Sequence, residues 1–172
     1  MNRYFAMLLA VFGCACALQA QNANLLSAEV KQSYTVVKNN LLKMADKMPE
    51  DAYSFKPTPE IQTFLQRMAH IADANMGTCA RIKGEQKSVG AASKTTKAEM
   101  VAALQESFAY CDGVFDSQTD ADALQMVNTG RGAPRPKLAV LYGIVAHSNE
   151  MYGYMSVYLR LKGVVPPSSE PR

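Results

Sequence analysis

The chain has only two histidines, and each is followed three residues later by a carboxylate. His70 precedes Asp73, and His147 precedes Glu150 and, one position further, Met151. Residues three or four apart lie on the same face of a helix, so each group can present its side chains together. Imidazole and carboxylate are common protein ligands of divalent metals. A metal site is therefore the first chemistry that the residue types and spacing indicate.

The histidines alone supply two ligands, whereas a catalytic zinc site uses three and keeps one position open for water or substrate. Met151 is correctly spaced to reach the same point as His147, although a thioether is a soft ligand that suits Zn or Ni poorly. Glu150 or Asp73 could complete the set instead. We take His70, His147, Glu150 and Met151 as candidate ligands of a divalent ion such as Zn or Ni. The alternative is that these are ordinary residues on helix flanks.

The first twenty residues have the pattern of a secretory signal peptide. Arg3 gives a positive start, residues 4–18 are mostly apolar, and Ala20 is a small residue suited to cleavage before Gln21. The apolar run is shorter than the roughly 20 residues that span a membrane, so we expect no stable span after cleavage. The sequence thus predicts an exported protein, periplasmic or extracellular. A lipoprotein signal ending at Cys14 and an uncleaved anchor are less favoured alternatives.

Export bears on the cysteines. Cys79 and Cys111 are the two that remain after removal of the signal peptide. In an oxidising compartment they are candidates for a disulfide, and two buried free thiols are the alternative. There is no CxxC pair, so neither a thioredoxin-like site nor a zinc knuckle is indicated.

The charge pattern argues against nucleic-acid binding. The formal net charge is +3, and lysines and arginines are scattered without a basic run. A homodimer and an unidentified small-molecule ligand both stay open as partners.

The elements that must position these residues are four amphipathic helices. Apolar residues recur at steps of three and four in four segments, which begin at Ser27, Thr58, Thr96 and Arg135. The third has the clearest start, because Thr96 and Glu99 match a capping box. We find no strand candidate. The pattern predicts an all-α four-helix bundle over residues 24–163, followed by an extended, mobile, proline-rich tail at 164–172.

Three blocks carry a family resemblance. They are KNNLLKMADKMPEDAYSFKP, AHIADAN and AHSNEMYGYMSVYLRLKGVVPPSS. Together they resemble the DinB family. The resemblance implies a four-helix bundle with a long crossover between the second and third helices. It also implies three histidines that bind a divalent metal, one on the second helix and an HxxxH pair on the fourth. His70 matches the first and His147 the second, and Met151 occupies the third position.

These observations lead to two functional expectations. The first is an exported DinB-like bundle with a degenerate two-histidine metal site, and a weak metal-dependent hydrolase or transferase activity. The second is a non-catalytic bundle in the cell envelope that binds an apolar ligand or a protein partner.

Overall fold

A computed structural model describes residues 24–130 and 132–171 of the chain. Four helices dominate it, α1 Leu25–Lys47, α2 Phe64–Ile82, α3 Lys97–Asp116 and α4 Lys137–Leu161. The predicted all-α bundle is confirmed. Within the described part of the chain, no helix is long and apolar enough to cross a membrane. The predicted signal peptide lies outside the described residues.

The four helices are arranged so that consecutive ones are not always neighbours. Both α1 and α2 pack against α3 and α4. Cys79 and Cys111, near the ends of α2 and α3, are bonded to each other, so these helices run parallel. Tyr34 in early α1 bonds Asp112 in late α3, so α1 and α3 are antiparallel. Tyr158 near the end of α4 bonds the Gln62 carbonyl just before α2, so α4 is antiparallel to α2, and the order of directions is up, down, down, up.

Parallel α2 and α3 require a connection that returns along the bundle, which is the crossover that we expected. This segment, residues 83–96, is held against α2 by Asp73. The Asp73 carboxylate accepts hydrogen bonds from the Ser88 hydroxyl at 3.0 Å and from the Ala91 and Ala92 amides, each at 3.2 Å. The amide bonds lie at a short 3-10 turn, Ala91–Ser93. Asp73 therefore caps this turn and anchors the crossover.

Three of the four helix starts differ from expectation. The helix expected to begin at Thr58 begins at Phe64, where Thr63 and Gln66 form a capping box. Backbone bonds from Phe64 and Leu65 to the carbonyls of Phe55 and Tyr53, each 2.9 Å, bring the chain back on itself before the helix. These bonds satisfy first-turn donors that water would otherwise have to satisfy, which favours the later start.

The first helix also starts differently, at Leu25 rather than after a Ser27 cap. Ser27 is buried, and no side chain of its own segment caps the helix. The Asp120 carboxylate instead accepts the amides of Leu26 at 3.0 Å and Ser27 at 2.7 Å. A carboxylate at a helix N-terminus is favourable because it meets free donors and the positive end of the dipole.

A small strand pair precedes α4, contrary to the expectation of no strand. Strands β1, Met126–Val127, and β2, Arg135–Pro136, pair antiparallel. The fourth helix consequently begins at Lys137 and not at Arg135. The Lys137 and Leu138 amides donate to the carbonyls of Gln125 at 2.8 Å and Ala123 at 3.0 Å, which ties this connection to the helix.

The segment after α4 is not simply extended. Pro167–Ser169 form a 3-10 turn, and Pro166 is buried. The Ser168 amide donates to the Tyr152 hydroxyl at 2.8 Å, and Glu170 pairs with Lys43 and Lys47 of α1. The segment therefore connects the ends of α1 and α4.

The described core contains the disulfide between Cys79 and Cys111, which is the first of the two arrangements that the sequence left open. Their Cα atoms are 5.4 Å apart, and both residues are fully buried. The bond joins positions 32 residues apart, across the whole crossover. It therefore restricts the unfolded chain as well as linking two parallel helices.

We predict that removing this bond destabilises the fold by about 3–4 kcal/mol, because a loop of this length gains that much conformational freedom when unfolded. Urea unfolding should be compared for the oxidised protein, the reduced protein and the Cys79→Ala/Cys111→Ala variant. Reduction avoids the cavity that the substitutions create. An unchanged midpoint on reduction would contradict the prediction.

Candidate metal centre

The two histidines face each other across the antiparallel contact of α2 and α4. The orientation of α4 follows from Tyr158 near its end, whose hydroxyl donates to the Gln62 carbonyl before α2 at 2.7 Å. With those ends fixed, His70 and His147 meet near the middle of the contact. Their Nε2 atoms are 3.0 Å apart, and the rings are inclined at 72°. The structure thus brings together the two histidines that the sequence singled out.

The environments of the two rings differ. His70 is exposed and His147 is partly buried. Burial lowers the pKa of His147, the positive charge of a protonated His70 lowers it further, and the carboxylate of Glu150 opposes both effects. The net direction favours neutral His147, which is the form that binds a metal.

A separation of 3.0 Å is compatible with two arrangements. One neutral ring can donate its Nε2–H to the lone pair of the other. Alternatively, both nitrogens can bind one ion, because two metal–nitrogen bonds of about 2.0–2.1 Å place the nitrogens about 3.0–3.4 Å apart at bond angles of about 95–109°. The observed separation lies at the short end of the range for shared ligation.

The carboxylates expected to complete the site do not form a group of three ligands with this pair in the described part of the chain. The Glu150 carboxylate is exposed and accepts the Tyr154 hydroxyl at 3.0 Å. Met151 is 5% exposed and belongs to the hydrophobic core. Residues 24–130 and 132–171 contain no group of three or more His, Cys, Asp or Glu placed to hold a metal. Asp73, the remaining alternative, is occupied by the crossover.

A cleft of about 440 Å³ opens beside the histidines, between α2, α4 and the connection that precedes α4. Its lining includes both imidazoles, Asn75 of α2, and the arginines Arg81 and Arg135. Sequence reasoning missed these last three. Asn75 was visible only as a polar residue within the apolar stripe of α2, and nothing local distinguishes the two arginines from other surface cations.

Known proteins agree with this architecture. The sequence profile described as the DinB superfamily matches residues 33–155. The chain belongs to the DinB superfamily. A DinB-like protein from Bacillus cereus ATCC 10987 has a similar solved structure, with a TM-score of 0.70 and 20% sequence identity over 80% of this chain and 93% of that one.

A second solved DinB-like protein, from Bacillus subtilis, gives a TM-score of 0.67 and 17% identity. The similarity covers 84% of this chain and 96% of the Bacillus subtilis protein. A comparison with curated proteins gives no match. At these identities the solved DinB structures support the shared fold, and the chemistry must be argued from the residues of this chain.

We predict that Asp73 is a structural residue of this DinB bundle. Asp73→Ala should lower the unfolding free energy by about 1–3 kcal/mol, because it leaves the Ala91 and Ala92 amides without their acceptor. Urea unfolding measures the loss, and hydrogen exchange should accelerate at those two amides. Glu106→Ala, which removes an exposed carboxylate from α3, is the matched control. Equal stability of both variants would contradict this role.

Proposed function

We propose that this DinB-superfamily protein binds one divalent metal ion, Zn or Ni, through His70 and His147. The supporting observation is the 3.0 Å separation of the two Nε2 atoms on helices whose relative position is fixed by the bundle. Two protein ligands leave the remaining positions to water or a ligand. A site of this kind is weaker than a three-histidine site but more open.

The chemistry that the metal would supply is that of a Lewis acid, which polarises a bound carbonyl or lowers the pKa of bound water. The residues of the chain contribute position and charge. His70 presents its nitrogen from the solvent side, while the depressed pKa of His147 keeps that ring neutral for binding. The cleft beside the rings admits a ligand. Weak metal-dependent hydrolysis or group transfer is the activity consistent with these features.

Met151 distinguishes this site from the three-histidine arrangement that the resemblance implies. Its thioether is soft and is packed in the core, so it contributes little affinity for Zn or Ni. The Glu150 carboxylate is exposed and already accepts the Tyr154 hydroxyl, so we propose no ligand role for it. The proposed site is therefore limited to the two imidazoles.

Export is part of the proposal, with residues 1–20 as the cleaved signal peptide. The disulfide supports it, since disulfides form and persist mainly in oxidising compartments. We predict that the protein recovered from the periplasm or medium begins at Gln21, as intact-mass and N-terminal analysis would show. A mature chain that still carries residues 1–20, or begins at Cys14, would contradict this prediction.

We predict that zinc binding depends equally on both histidines. His70→Ala and His147→Ala should each weaken Zn²⁺ binding by about 100-fold or more, because a single imidazole does not hold the ion, and the double variant should be no worse than either alone. Isothermal titration and elemental analysis measure affinity and stoichiometry. Thermal unfolding of each variant verifies that the bundle is intact.

The proposal would be contradicted if the wild-type protein bound no metal, or if the His147→Ala variant bound as much metal as the wild-type protein. Either outcome would favour the alternative function, a non-catalytic envelope bundle that binds an apolar ligand or a protein partner. Independent, additive effects of the two substitutions would show that the rings do not share an ion.

A further inference from the structure

The cleft beside the histidine pair has an unusual charge distribution. Arg81 of α2 and Arg135 of β2 line it, and none of the described residues that line it is an aspartate or glutamate. A neighbouring hollow of about 570 Å³ shares Arg81 and is also lined without a carboxylate. Two cations and no anion give this surface a positive potential that a negatively charged group would neutralise.

The two arginines also differ from most lysines near the surface of the bundle. Several described lysines pair with carboxylates, including Lys87 beside the cleft, whose ammonium lies 3.1 Å from Glu85. Within residues 24–130 and 132–171, neither Arg81 nor Arg135 forms an ion pair. Arg81 donates to the Thr78 hydroxyl at 3.2 Å. Most of the guanidinium donors therefore remain available to an anion. A guanidinium binds a planar anion better than an ammonium does, because its donors match the geometry of a carboxylate.

Asn75 provides an independent sign that the cleft receives an acceptor. Asn75 is among the residues that line the cleft and is 1% exposed, and its buried Nδ2 has no hydrogen-bond partner among the described residues. A buried donor without a partner is rare and costs about 1–3 kcal/mol. A small rotation of the Asn75 side chain would bring this donor to an oxygen of a ligand in the cleft.

The other wall of the cleft is apolar. Val140 and Ile144 of α4 face Ala74 of α2. A volume of about 440 Å³ lies in the usual range for small-molecule sites. This wall would gain nothing from a bare inorganic anion, whereas a hydrocarbon group packed against it would be removed from water.

We propose that this cleft binds a small organic carboxylate. Arg81, Arg135 and the Asn75 amide receive the carboxylate, and a short apolar body lies along Val140 and Ile144. This carboxylate would be the ligand class of the same site, and any catalytic role for it rests on the proposed metal function. Binding of the carboxylate by the arginines does not itself require the metal.

The test is a titration of benzoate into the EDTA-treated mature protein, followed by ¹H–¹⁵N NMR. We expect saturable shifts centred on α2 and the start of α4. Arg81→Gln and Arg135→Gln should each weaken benzoate binding by about tenfold or more, since each removes charge-assisted hydrogen bonds. Arg160→Gln, which removes an exposed arginine at the far end of α4, should leave the affinity unchanged.

Two further probes make the assignment falsifiable. Benzamide has the shape of benzoate without its charge, and inorganic phosphate has charge without an apolar body. The assignment would be overturned if benzamide or phosphate bound as tightly as benzoate. It would also be overturned if neither arginine variant weakened benzoate binding. Repeating the titration with zinc separates the two proposals. If the protein binds benzoate but not zinc, only the metal proposal is overturned. If it binds zinc but not benzoate, only the carboxylate proposal is overturned.

Discussion

The parallel alignment of α2 and α3 is the constraint on which the rest of the structure depends. Two consecutive parallel helices need a connection as long as the bundle, and here residues 83–96 return along α2. The Asp73 carboxylate fixes this return at the middle of α2, and the Cys79–Cys111 bond joins the two helices near their C-terminal ends. With α2 and α3 paired in this way, the free face of α2 is left to α4.

The site is a consequence of that arrangement. Because α4 runs antiparallel to α2, the middle of each helix faces the middle of the other, and the two imidazoles meet at 3.0 Å. Burial depresses the His147 pKa, and repulsion between two protonated rings at that distance would depress it further. The neutral pair can share a proton or an ion. The arginine-lined cleft lies at the same α2–α4 contact. The packing of these two helices therefore places both candidate binding surfaces side by side.

Local signals in the sequence predict those structural features that depend only on residues close together in the chain. The capping box of Thr96 and Glu99 is one such feature, and it is confirmed. Helical periodicity also placed His70 and His147 on helix flanks. The start of α2 differs from the expected one because Thr58 and Thr63 both suit an N-cap, and backbone bonds to Phe55 and Tyr53 favour the later start. Asp120, which caps α1 from 93 residues away, has no local signature at all.

The same distinction applies to the site. Spacing along α4 puts Met151 one turn after His147, but it does not reveal that Met151 lies in the core. Nor does any pattern near Arg81 or Arg135 predict that they line one cleft, since they come together only through the β1–β2 pair and the fold of α2 against α4. The identity of the ligands in such a site is set by tertiary packing rather than by motif.

X-ray absorption spectroscopy at the zinc edge of the zinc-loaded mature protein tests the central claim most directly, because it counts the imidazoles bound to the ion. We predict two imidazole nitrogens at about 2.0–2.1 Å, with oxygen atoms completing the shell. A shell made only of oxygen, or one with a single imidazole, would show that the two rings do not share a metal.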